Sequence, residues 1–91
     1  MDLRAFTPIG AHIDEPFQQL EGGHGYDHNF VVDGRPGVMR PAAQARSRAT
    51  GVVMEVETDS PGVQLYTANF VEDGRKGKGG AAYGFRHAFC L

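Results

Sequence analysis

The chain has 91 residues, a hydrophobic fraction of 41%, a charged fraction of 22% and a net charge of −2. That length suits one small domain or part of one, and the balance of residue types belongs to a folded globular chain, not a disordered or collagen-like one. Lysines and arginines are scattered over a net negative chain, which leaves no basic field, so neither nucleic acid nor an acidic membrane is an expected partner.

The first ten residues show no usable period, and Pro8-Ile9-Gly10 reads as an irregular connection. Asp14 is placed to cap a short helix with Pro16 in its first turn, Phe17 and Leu20 on one face, and Gly22-Gly23 as its stop. Phe30-Val31-Val32 predicts a brief strand ended by Asp33-Gly34, and Arg35 to Pro41 reads as a surface connection. The clearest signal is a hairpin, with arms Ala42 to Arg48 and Val52 to Thr58 and a turn around Thr50-Gly51. In its second arm Met54, Val56 and Thr58 alternate with Val53, Glu55 and Glu57, the pattern of a half-buried antiparallel strand.

Ser60-Pro61-Gly62-Val63 fits a type II turn, with glycine supplying the positive φ of the second central residue. Val63 to Phe70 follows as a strand, Glu72 to Gly80 as a polar glycine-rich loop, and Ala88 to Leu91 as the start of a final strand. Short strands punctuated by 13 glycines and 5 prolines predict an all-β fold. The single cysteine, Cys90, excludes an internal disulfide, and no N-terminal stretch has the character of a signal peptide or membrane span. The expectation is a cytoplasmic protein with Cys90 as a buried core thiol. An apolar terminus at Phe89-Cys90-Leu91 is also what a chain interrupted within a strand would display.

Three stretches carry more than strand statistics: Gly25-Tyr26-Asp27-His28-Asn29-Phe30, Thr58-Asp59-Ser60-Pro61-Gly62-Val63-Gln64-Leu65-Tyr66-Thr67-Ala68-Asn69-Phe70, and Lys76-Gly77-Lys78-Gly79-Gly80-Ala81-Ala82-Tyr83. In this order and spacing they resemble the C-terminal part of aldose 1-epimerases of the galactose mutarotase type, and the looser likeness takes in nearly all of residues 1–91. The resemblance implies an antiparallel β-sandwich of the supersandwich type, of which this chain is the C-terminal portion of a single domain. It also implies a cofactor-free interconversion of the α and β anomers of a free hexose such as galactose or glucose. A base takes the anomeric hydroxyl proton while an acid protonates the ring oxygen, and the opened ring recloses after rotation.

In the family a histidine is the acid and a glutamate the base. Phe-Cys-Leu is followed there by Glu-Thr-Gln, whose glutamate is that base, so the resemblance implies a fragment ending at Leu91 just before it. The acid histidine belongs to the N-terminal part of the family fold, and none of the four histidines here matches it. No catalytic residue is therefore assigned, and the chain alone is expected to be inactive. Two substrate-binding positions do match. Asp27 corresponds to an aspartate that accepts hydrogen bonds from sugar hydroxyls, and Gln64 to a glutamine lining the same pocket, able to donate and accept.

The alternatives are a non-catalytic carbohydrate-binding or structural β-module and a relative acting on phosphorylated sugars. The latter wants a cationic cluster beside Asp27 or Gln64, which the sequence does not provide. His24 and His28 flank Asp27, but histidines four apart converge only on a helix, and glycines surround this pair, so no metal is expected. Gly77-Lys78-Gly79-Gly80 lacks the spacing of a phosphate loop and reads as a solvated turn. Glu57 and Asp59 read as solvated carboxylates. Tyr66, Phe70 and Tyr83 could face a sugar ring, but strand aromatics more often fill the core.

Overall fold

A computed structural model describes residues 1–91. Its strands are β1 (Asp27–Val31), β2 (Arg40–Arg46), β3 (Val53–Thr58), β4 (Gly62–Tyr66), β5 (Arg75–Lys76) and β6 (Ala82–Tyr83), with one short helix, α1 (Gln18–Gly23). They pair as β1–β4, β2–β3 and β5–β6, giving three two-stranded sheets. The expected all-β class holds, and its ladders β2–β3 and β5–β6 are antiparallel. No helix is long and apolar enough to cross a membrane. By contacts the chain divides into two compact units, residues 1–28 with 64–91, and residues 29–63.

The second unit is built on the expected hairpin. Arg46↔Val53, Ala45↔Met54 and Gln44↔Glu55 pair in register, and the exposed Gln44 amide donates to Glu55 Oε1 at 2.7 Å. Four residues turn the chain between Ser47 and Val52, where Gly51, at φ 75°, occupies the left-handed region that glycine enters without strain. Ser47 Oγ and Thr50 Oγ1 accept from the amides of Thr50 and Val52, occupying turn donors the ladder cannot reach. The register shifts between Pro41 and Ala43, placing one extra residue opposite β3 beside a proline that has no N–H for the ladder.

Residues 35–41 are not simply a surface connection, because Arg40 opens β2 and is buried at 8% exposure. Its guanidinium uses all five of its donors. Nε donates to the Asp33 carbonyl at 2.9 Å, Nη1 to Val38 and Thr58 at 3.3 Å each, and Nη2 to Val32 at 3.3 Å and Ser60 at 3.0 Å. Gly34 lies flat against this side chain, since a Cβ there would meet Arg40 Cδ at 2.9 Å. The type II turn at Ser60 to Val63 does not form. Gly62 is already in β4 without a positive φ, and what it supplies is closeness, for a Cβ there would collide with the Asn29 side chain.

In the first unit α1 starts later than expected. Phe17 is its N-cap without a side-chain bond, Pro16 lies outside the helix, and Asp14 instead takes Arg86 Nη1 at 2.8 Å. The helix ends in a Schellman arrangement: the His24 and Gly25 amides donate to the carbonyls of Glu21 and Leu20, with His24 left-handed at φ 55°. Leu20 is the buried residue of the helix, whereas Phe17 is exposed. The core of this unit is Ile13, Leu20, Tyr26, Leu65 and Ala68, with Thr67 and Asn69 buried among them.

Other boundaries also move. The expected strand at 30–32 is Asp27–Val31, and the one expected from Val63 to Phe70 ends at Tyr66. It ends there because Thr67 and Asn69 turn inward to bond the Tyr26 carbonyl and each other, and because Ala68 takes a left-handed φ of 51°. The loop expected over 72–80 carries β5 and a short 3-10 turn, Lys78–Gly80. The final strand shrinks to a single bridge, Cys90 with Tyr66. Cys90 is exposed, so its expected core position was wrong: backbone pairing at the bridge does not take its side chain inside.

Candidate functional site

The first unit brings the two candidate binding residues together. β4 alternates, with Leu65 buried between the exposed Gln64 and the half-buried Tyr66, so the latter two share one face. Asp27, exposed at the start of β1, belongs to that face too, because Gln64 Nε2 donates to its Oδ1 at 2.9 Å. Each side chain fixes the other. Asp27 Oδ2 and Gln64 Oε1 remain as acceptors and the second Gln64 amide hydrogen as a donor, a set that matches a pair of neighbouring hydroxyls.

Several bonds hold this arrangement from behind. His28 Nδ1 accepts the Asp27 amide at 3.0 Å, which makes Nε2 the protonated nitrogen, and Nε2 bonds the Gln19 carbonyl at 3.0 Å. With both ring nitrogens so engaged, His28 is a structural residue, tying the start of β1 to α1. Immediately before it, Tyr26 is buried at 1% exposure, and burial pushes its phenol up from its ordinary value. The Tyr26 amide donates to Thr67 Oγ1 at 3.0 Å, the Thr67 amide donates to the Tyr26 carbonyl at 3.0 Å, and Asn69 Nδ2 reaches that same carbonyl at 2.8 Å. Gly25 is required in this corner: its φ is 136°, and a Cβ would strike the Asn69 side chain.

Tyr66 continues the face beyond the Asp27–Gln64 pair, and Phe70 lies against Tyr66. Their rings are 6.5 Å apart and 13° from parallel, and the Phe70 amide donates to the Tyr66 hydroxyl at 3.1 Å. His24 meets Phe70 edge-on at 5.7 Å and 87°. Phe70 is 61% exposed, so the expectation that it fills the core does not hold. Tyr83 is exposed as well.

Residues that sequence reasoning passed over are the supports: Thr67 and Asn69, which lie in the quoted Thr-Ala-Asn-Phe run, and Arg86, which nothing nearby marks. Arg86 Nη2 donates to the His24 carbonyl at 2.8 Å, and its amide donates to the Ala68 carbonyl at 3.1 Å. Lys76 and Lys78 are exposed, and no group of three or more histidine, cysteine or acidic side chains is placed to hold a metal ion.

Comparison with known proteins adds the evolutionary context. The family described as Aldose 1-epimerase matches residues 1–91. Galactose mutarotase of Bos taurus is 41% identical over 90 residues, which are 99% of this chain and 25% of that protein. The proteins of the same name from Homo sapiens and Mus musculus are 40% and 38% identical over the same shares. The chain thus spans about a quarter of the length of the curated relatives it matches. No solved structure matches it significantly.

Proposed function

This chain belongs to the aldose 1-epimerase family, and from that premise we propose that it forms the part of a single-domain hexose 1-epimerase that holds the sugar, working without a cofactor in the cytoplasm. The reaction is interconversion of the α and β anomers of a free hexose, galactose or glucose, in hexose metabolism. Asp27 and Gln64 are its substrate-binding residues. The observation that carries this reading is their mutual hydrogen bond, which leaves a second carboxylate oxygen and the amide oxygen as further acceptors on two exposed side chains. An ionised carboxylate pre-set by a neighbouring amide accepts hydroxyl protons at low ordering cost.

Ring opening needs an acid at the ring oxygen and a base at the anomeric hydroxyl. His28 cannot serve as either, since both its nitrogens are engaged in structural bonds. The family's acid histidine and base glutamate have no counterpart in residues 1–91, so the chain by itself binds but does not turn over. Polarimetry of freshly dissolved α-galactose tests this division: the chain should leave the optical rotation drifting at the buffer rate. Acceleration by the chain alone, abolished in Asp27→Asn, would show that the missing acid and base had been assigned wrongly.

A further inference from the structure

We propose that Phe70, backed by Tyr66, is a stacking platform for the apolar face of the bound pyranose and a further specificity-determining residue beside Asp27 and Gln64. This rests on the hexose-binding reading given above and adds a contact of different chemistry. Hydroxyl-binding groups alone exchange one set of hydrogen bonds for another with water and gain little. A pyranose site therefore needs an apolar surface as well. Galactopyranose offers one, because its axial O4 leaves the C3, C4 and C5 hydrogens together on one side of the ring.

Three observations single out Phe70 among the exposed aromatics. Its ring is stacked 13° from parallel on Tyr66, and Tyr66 lies two residues from Gln64 on the same strand face. Its backbone is held although the residue is 61% exposed. The Phe70 amide bonds the Tyr66 hydroxyl, Asn69 before it is bonded to the Tyr26 carbonyl, and the Ala68 carbonyl accepts the Arg86 amide. The ring is also in T-shaped contact with His24, whose own backbone is fixed as the left-handed helix cap and by Arg86. Phe85, by contrast, already carries the Arg86 guanidinium over its ring at 4.6 Å. Phe70 is thus an apolar surface ordered before any ligand arrives, set against Tyr66, which shares its strand face with Gln64, and such preorganisation lowers the cost of binding.

The test titrates the chain with methyl β-galactopyranoside, which cannot open its ring, and follows amide chemical shifts. Phe70→Leu keeps bulk but removes the π face, and should weaken binding about 3- to 10-fold, the range expected for one aromatic contact. Phe70→Tyr should bind as the parent does. Sorbitol, which carries hydroxyls but no ring face, should respond to Asp27→Asn and not to Phe70→Leu. Unchanged affinity for the galactoside in Phe70→Leu, with loss in Asp27→Asn, would overturn the platform and leave the binding reading standing. Equal loss in Phe70→Leu and Phe70→Tyr would also overturn it, since the tyrosine keeps the ring. No galactoside binding by the parent chain, with its amide spectrum showing a folded protein, would overturn both.

Discussion

The two units are fastened by opposite means. In residues 29–63, Val32 is the one apolar side chain in the buried core, and a single cation holds the backbone, with Arg40 giving all five N–H groups to carbonyls of Val32, Asp33, Val38, Thr58 and Ser60. In residues 1–28 with 64–91, five apolar side chains form the core, and neutral groups, Thr67 and Asn69, converge on one residue, Tyr26. The difference shows how a chain with little apolar material can still fix its loops. Buried carbonyls must be paired, and a guanidinium pairs more of them per side chain than any neutral residue can.

The comparison predicts the largest loss in the cation-held unit. Arg40→Met fills similar space but removes five donors, one of them from the buried Val32 carbonyl, and should cost about 3 kcal/mol. Amide hydrogen exchange across β2–β3 and the Val32 amide reads this directly. Protection there within about 0.5 kcal/mol of the parent, the range of an ordinary surface substitution, would mean the clasp is not what holds the unit.

Asn69→Ala should cost less, about 2 kcal/mol, because it removes one buried donor and leaves the Tyr26 carbonyl still paired with Thr67. The loss should appear at the Tyr26 and Thr67 amides by the same exchange measurement. Loss as large as that of Arg40→Met would erase the distinction between the two fastenings.

The smallest effect is that of pH. Burial raises the Tyr26 pKa above its ordinary 10.0, so the folded state holds that proton more tightly than the unfolded chain does. The stability this contributes is fully present below pH 10.0 and is lost as pH rises through the higher folded value. Stability of the first unit, which holds Tyr26, should therefore fall above pH 10.0. The Tyr26 ring resonances, followed through a pH titration, should show its phenol ionising above pH 10.0, and ionisation at or below pH 10.0 would remove the assignment.

Much of the site was legible because its signals are local. The order of the Asp27 and Gln64 motifs pointed to both residues as candidates, and a hydrogen bond joins their side chains. Tyr66 and Phe70 fall in a stretch that reads as strand through Phe70, where aromatics more often fill the core, yet Phe70 is exposed. The chain in fact leaves the strand at Thr67, where side-chain bonds to Tyr26 compete with the ladder. That competition depends on residues 41 and 43 positions apart, which no local period reveals.

By itself the sequence determined the all-β class, the Arg46–Val53 hairpin, the stop of α1 and the family, because turn residues, alternation and motif spacing act between near neighbours. Tertiary structure alone decided that Arg40 is buried, that Gly62 serves closeness and not a turn, that Cys90 is exposed and that Phe70 faces outward. Each of these depends on which distant backbone groups are left to be paired or approached once the strands have met, and that is settled by the whole chain at once.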